Sequence, residues 1–372
     1  MRINSSAYRQ CFLIFVGIFA LAGLVACNNG ENSSSMDGAD PGATYIPTLP
    51  NERPDEGVLY ASVLEEFSIV NSDGNTIYGL IRRPDPVLYP ASSFAAVIKV
   101  PGGINPGRSE VLTVEAIALA EAGMVVVGFN AEGRLDSRNP DDIQSEGEED
   151  YNGYRNQDTL AEIFLYVEEL PYVIPYNIGI RTQSYGITMG AGCVARHPEI
   201  PVKYIVDGEG PSASFVTVQE PWALYSPSGH PFHDKYETVY EILGHYSTYR
   251  DPSQENLAFW GEREAVRFIG AFDGMYLRLQ AEWDHSQPPS QASEINMCHD
   301  PPTWWQCKHA CDMANAAVQG GVPWVRVNFP EQGNEVNDTF GPDNLPGFLP
   351  GELNSDPMIP VRAVLEMARS EW

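Results

Sequence analysis

Basic side chains are scarce in this chain: 22 Lys and Arg stand against 50 Asp and Glu, a formal charge of −28 over 372 residues. So acidic a body repels phosphate, which excludes nucleic acid and anionic lipid headgroups as partners. The charge serves solubility instead. Histidine is also sparse, with seven in all and none after His309, so any chemistry that needs an imidazole near the C-terminus lacks one. No internal repeat is present, and beyond residue 57 the composition does not shift again. Residues 58–372 are long enough for one large core, and one domain is the expectation.

The start of the chain differs in character. Arg2 and Arg9 lead into the apolar run 11–26 (CFLIFVGIFALAGLVA), which has signal-peptide length and is too short to span a bilayer comfortably. It closes on Leu24-Val25-Ala26-Cys27, which resembles a bacterial lipobox. The resemblance implies a signal peptide at 1–26 and a lipid on Cys27. The mature protein would then be exported to the cell envelope and held at a membrane, periplasmic or surface-facing, by acyl chains alone, each buried CH₂ contributing about 0.8 kcal/mol. Residues 27–57 are mostly Asn, Ser, Gly, Pro and acid, too polar to offset their ordering entropy, and read as a tether.

Export makes disulfides the default for the remaining cysteines, Cys193, Cys298, Cys307 and Cys311, which allow three pairings. Cys307 and Cys311, four apart at a helix start, suit a bridge poorly. The favoured pair is Cys298 with Cys307 or Cys311, leaving Cys193 as a buried thiol. The cluster Cys298, His299, Cys307, His309, Cys311 matches no standard zinc spacing. The acidic run Asp141, Asp142, Glu146, Glu148, Glu149, Asp150 lacks the EF-hand order and reads as a solvated loop. No metal and no cofactor is expected.

Along the body, 64–82 reads as a hairpin around Ser72-Asp73-Gly74-Asn75. Continuous apolar runs at 94–100 (FAAVIKV) and 124–130 (MVVVGFN) read as strands buried on both faces, with further strands at 177–183, 202–207, 275–281 and 324–329. Helical patterns fall at 110–122, 156–170, 185–196, 305–319 and 360–369, and 131–153 looks polar and flexible. Residues 211–270, rich in Pro, Tyr and Trp, break this rhythm and read as a lid-like insertion. The alternation predicts an α/β fold, a mostly parallel sheet with helices on both faces and ligands at the carboxyl ends of its strands.

At one such end stands Thr182-Gln183-Ser184-Tyr185-Gly186, between a strand and a helix. It resembles the nucleophile elbow of the α/β-hydrolase superfamily, with Thr182 in place of the usual first glycine. Lys99-Val100-Pro101-Gly102-Gly103 resembles the superfamily's oxyanion loop, and 129–134 (FNAEGR) its next strand-end loop. The segment 279–289 (LQAEWDHSQPP) resembles the loop that supplies the triad acid. Taken together, the pattern is most similar to the dienelactone-hydrolase and prolyl-oligopeptidase-like branches. The resemblance implies Ser184 as nucleophile, the backbone N–H of Tyr185 and one near Gly103 or Ile104 as oxyanion donors, and Asp284 as the acid, with Glu282 the neighbouring alternative. After the last strand, where the superfamily places its histidine, the chain carries Asn334, whose amide cannot accept the serine proton. His285, His309 and the insertion histidines His230, His233 and His245 remain as candidates for the base. Two readings follow. One is a serine hydrolase of ester, thioester or peptide-like bonds, with a small molecule or peptide as substrate. The other is a non-catalytic surface binding protein on a hydrolase scaffold.

Overall fold

Two apolar runs too continuous to alternate faces build the middle of the sheet. The computed structural model describes residues 59–90, 92–137, 139–212, 253–283, 301–329 and 348–371, with backbone alone at 282–283 and 301–308. The leader, Cys27 and the tether lie outside the described residues. Every residue of β3 (Phe94–Val100) and of β4 (Met124–Phe129) is buried, as expected for strands covered on both sides. Lys99 is the one charge in these two strands. Its ammonium is held by Glu110 at 3.1 Å, Glu115 at 3.4 Å and the Thr113 hydroxyl at 3.0 Å, which makes its burial tolerable.

The expected hairpin forms as β1 (Ser62–Val70) and β2 (Thr76–Pro84), paired antiparallel. With β5 (Val173–Gln183), β6 (Tyr204–Gly208), β7 (Met275–Leu279) and β9 (Trp324–Val327) they complete an eight-stranded sheet in the order β1-β2-β4-β3-β5-β6-β7-β9, parallel from β4 onward. A second, two-stranded sheet pairs β8 (Ala281–Trp283) with β10 (Leu349–Glu352).

The expected helix over 110–122 is divided. A 3₁₀ turn covers Arg108–Leu112, and Thr113 then caps α1 (Val114–Glu121) by accepting the Ala116 N–H. The later helices are α2 (Tyr154–Glu168), α3 (Gly186–Arg196), α4 (Gln254–Gly261), α5 (Ala265–Phe268), α6 (Pro301–Gly320) and α7 (Met358–Arg369). The part of the insertion that is described, from residue 253 on, therefore carries helices, while 213–252 lie outside the described residues. On one face of the sheet α1 and α7 pack over Ala95, Val97, Val126, Val206 and Leu277. On the other α2, α3 and α6 cover Ala96, Ile98, Val125, Ile180 and Ile205. Among the described residues no helix is long and apolar enough to cross a membrane.

This topology places a crevice. β3 and β5 are neighbours, yet the chain leaves β3 through α1 toward β4 and leaves β5 through α3 toward β6, on opposite faces. Loops that depart in opposite directions from adjacent carboxyl ends leave a gap between them.

Candidate active site

Ser184 stands at that gap. It follows β5 directly, adopts φ +48°, and is half-buried two residues before α3. A left-handed backbone costs a non-glycine residue about 1–2 kcal/mol, so the sequence accepts local strain to turn a strand into a helix within two residues. The β5–β6 ladder runs one residue past the strand, because the Ser184 N–H donates to Gly208 O at 2.8 Å. The turn closes because Gly186 has no side chain: a Cβ there would stand 2.5 Å from Pro101 O.

The loop after β3 lies against this turn. A Cβ added to Gly102 would come within 3.0 Å of Ser184 Cβ and 3.3 Å of Gln183 O, so the backbone at 102 touches the serine side of the turn. Gly103 has φ +60°. The N–H groups of Gly103, Ile104 and Tyr185 have no acceptor among the described residues. Amides left open in the serine turn and in a loop whose Gly102 backbone touches that turn are suited to holding negative charge on oxygen. Burial pushes the Tyr185 phenol above its usual range, so the ring is a neutral buttress and the residue contributes its main chain to the crevice.

The segment 131–153, expected to be polar and flexible, is tied down at three of its acids, while Asp141, Glu146 and Glu148 are exposed, as a solvated loop would have them. Asp142 accepts from Arg108 at 3.1 Å, from Asn130 at 2.8 Å and from the Asp136 N–H at 2.7 Å. Glu149 receives Arg134 through a two-pronged contact, both bonds 2.7 Å, and Asp150 receives Arg263 at 3.0 Å. Composition over ten residues cannot reveal cations that lie elsewhere along the chain, so these partnerships were invisible to the sequence. The network also brings in Asn152, fully buried at φ +63°, whose amide donates to Gly103 O at 3.3 Å and Tyr185 O at 3.1 Å. Sequence reasoning missed it. The available signal was Asn152-Gly153, since asparagine is among the few residues that enter the left-handed region readily.

Glu209 was also missed. It follows β6 directly at φ +55°, is buried, donates its N–H to Leu279 O at 3.0 Å and accepts the Ala281 N–H at 3.2 Å. Asp207, two residues earlier, is fully buried against Arg278 at 2.8 Å.

The other expected residues divide as follows. β8 ends at Trp283, one residue short of Asp284; Asp284 and His285 themselves, with His230, His233, His245 and Asn334, lie outside the described residues, as does the side chain of Glu282. His309 is buried on α6, and its Nδ1 accepts the Ser212 N–H at 3.0 Å, with the Ser212 hydroxyl at 2.8 Å. An Nδ1 that accepts a backbone proton leaves the ring proton on Nε2. His197 follows the far end of α3 and faces Asp158 at 2.6 Å and Glu199 at 3.1 Å. Cys193 is a buried free thiol, and Cys298 and the Cys307 side chain lie outside the described residues. Among the described residues no group of His, Cys, Asp and Glu is arranged to hold a metal ion.

No protein-family model matches the sequence, and no curated protein is significantly similar to it. Solved structures are. One is from a study of two fungal esterases of Rhizomucor miehei: 13% identity over 84% of this chain and 84% of that one, TM-score 0.50. Another is a puromycin-hydrolysing peptidase of Mycobacterium tuberculosis: 14% identity, 84% of this chain and 39% of that one, TM-score 0.50. A looser likeness, at TM-score 0.42, 15% identity and 72% of this chain, is to Porphyromonas gingivalis dipeptidyl peptidase 4, of which the chain spans only 32%. At such identities similarity speaks for architecture alone, and with the strand order and the turn at Ser184 it gives a plain result: the chain has the α/β-hydrolase fold.

Proposed function

We propose that this protein is a serine hydrolase that cleaves an ester, thioester or peptide-like bond through an acyl-enzyme on Ser184. One observation carries the reading. The residue at the sharp strand-to-helix turn is a serine in a left-handed conformation, with the Gly102 backbone against it and the amides of Tyr185, Gly103 and Ile104 without acceptors among the described residues. Ser184 Oγ attacks the acyl carbon and gives its proton to a base. The carbonyl oxygen, now negative, is held by the N–H of Tyr185 and that of Gly103 or Ile104. The leaving group departs with a proton from the base, and water releases the acid by the reverse sequence. Asp284 orients the base. His309, with Nδ1 turned to Ser212, is poorly set for that role, which falls to His285 or to an insertion histidine. The names of the similar structures, a fungal esterase and a puromycin-hydrolysing peptidase, agree with acyl transfer without fixing the substrate. The lipobox-like Cys27 carries a lipid and holds the enzyme at a membrane of the cell envelope.

A fluorophosphonate probe tests the reading, since Ser184 Oγ would form a bond to phosphorus while fluoride leaves. Labelling of the wild type that disappears in Ser184→Ala is the expected result. Folded wild-type protein that takes no label refutes it and favours a scaffold that binds without cleaving.

A further inference from the structure

Every polar atom of Asn152 is engaged. Its N–H donates to Asn156 Oδ1 at 2.9 Å, and its carbonyl accepts Gln157 Nε2 at 3.1 Å. Its Oδ1 accepts Arg134 Nη2 at 2.7 Å. The two protons of its Nδ2 go to different loops, one to Gly103 O at 3.3 Å and one to Tyr185 O at 3.1 Å. The amide cannot be turned over, because that would set an NH₂ against the guanidinium and an oxygen against two carbonyls. Arg134, itself fixed by Glu149, therefore dictates which way Asn152 points, and it reaches the same loop a second time at Asn105 O, 3.4 Å away.

One contact falls on the Gly103–Ile104 peptide, whose N–H has no acceptor among the described residues, and the other on the peptide that follows the Tyr185 amide. In a planar trans peptide the C=O and the following N–H point in opposite directions, so a held carbonyl is a held amide. The bond to Gly103 O aims the Ile104 N–H away from Asn152. Asn105 Nδ2, bonded to Gly102 O at 2.7 Å, does the same for the Gly103 N–H. The bond to Tyr185 O fixes the peptide that follows the Tyr185 amide. A buried non-glycine residue at φ +63° is held there by its surroundings, and the backbone strain at 152 persists where the side chain makes this bridge.

We propose that Asn152 is a positioning residue for oxyanion stabilisation: one side-chain amide, oriented by Arg134, keeps the oxyanion loop and the Ser184–Tyr185 turn in register. It touches neither substrate nor the reacting atoms. The inference rests on the serine-hydrolase reading, and the test separates the two. Asn152→Gly removes the bridge while suiting the left-handed backbone, so the fold is kept. Fluorophosphonate labelling is followed over a range of probe concentrations to give kinact and KI for wild type and variant, with circular dichroism and Tm as checks on folding. The expected result is a fall in kinact of about 10- to 100-fold with KI unchanged within about twofold, because donors displaced by a fraction of an ångström weaken the transition state and not the encounter. A folded variant with unchanged kinact, or one whose KI alone rises, overturns the proposal and leaves the serine reading intact. Wild-type protein that takes no label overturns both. Asn152→Asp, which keeps the bond to Arg134 and loses the two donors, is read by the same constants should the glycine variant not fold. Failure of both variants to fold assigns Asn152 to stability and overturns the proposal.

Discussion

Neutralising Asp207 should be among the most damaging single changes in the sheet, and the structure allows the size to be worked out. Asp207 and Arg278 face each other across β6 and β7, both side chains wholly out of solvent, at 2.8 Å. The carboxylate also accepts the Tyr276 hydroxyl at 2.8 Å and the Gly210 N–H at 3.0 Å, while Arg278 reaches Gly210 O at 2.8 Å and Gln280 Oε1 at 2.7 Å. Removing one partner of a buried ion pair costs about 3–5 kcal/mol, because the other charge stays buried and loses its counter-charge. Truncation to alanine would in addition leave a hydroxyl and an amide without acceptors, at about 1–3 kcal/mol each, a total that approaches the whole stability of many domains. Asp207→Asn is the better perturbation, since it keeps the shape and one oxygen, and a loss of about 3 kcal/mol is expected. The double variant Asp207→Asn/Arg278→Met also removes the cation that would face a neutral amide and should recover about 2 kcal/mol of that loss. Urea unfolding followed by tryptophan fluorescence and circular dichroism measures both. A single variant within about 1 kcal/mol of wild type, or a double variant no more stable than the single, would refute the reasoning.

Three further outcomes follow from the same coordinates. Ser184→Gly should be more stable than Ser184→Ala by about 1 kcal/mol in urea midpoint analysis, because only glycine relieves the left-handed backbone; equal midpoints would remove strain from the description of the turn. Gly102→Val should abolish fluorophosphonate labelling while the far-ultraviolet spectrum persists, since even its Cβ would stand 3.0 Å from that of Ser184; undiminished labelling would move the loop away from the serine. Burial raises the Glu132 carboxyl above its ordinary 4.5, outweighing its bonds to Thr159 and Asn156. The folded state then holds this proton more tightly than the unfolded one, so between the two pKa values stability falls as pH rises. The stability difference between wild type and Glu132→Gln should accordingly grow in favour of wild type as pH is lowered toward 4.5, and a difference independent of pH would contradict the assignment.

What could be read from the sequence was whatever depends on period and on local turn chemistry. β3 and β4 were legible because seven and six residues without a polar interruption, Lys99 apart, have no solvent-facing side. The turn at Ser184 was legible because a strand that gives way directly to a helix is a local pattern. Thr113 could have been found by its chemistry, as a hydroxyl directly before an apolar helix start, and the longer helical pattern concealed it. The β8–β10 pair could not have been, since strands of three and four residues are chosen by what they meet and not by their own propensity. Nor could the ion pairs of Asp142, Glu149 and Asp150. A carboxylate in a polar loop looks the same in sequence whether it faces water or a guanidinium that lies 34 residues away, as with Arg108 and Asp142, or 113, as with Arg263 and Asp150.

The bond from the Ser184 N–H to Gly208 O has a stereochemical consequence. With that amide committed to the β5–β6 ladder, and those of Glu209, Gly210 and Ser212 engaged beyond β6, the donors left open at this turn among the described residues are those of Tyr185, Gly103 and Ile104. A trigonal acyl carbon approaching the hydroxyl could then direct its oxygen to one side only, presenting a single prochiral face. For an ester with an asymmetric centre next to the carbonyl, the two mirror-image forms would place their substituents differently against the crevice wall, and a racemate would be consumed unevenly.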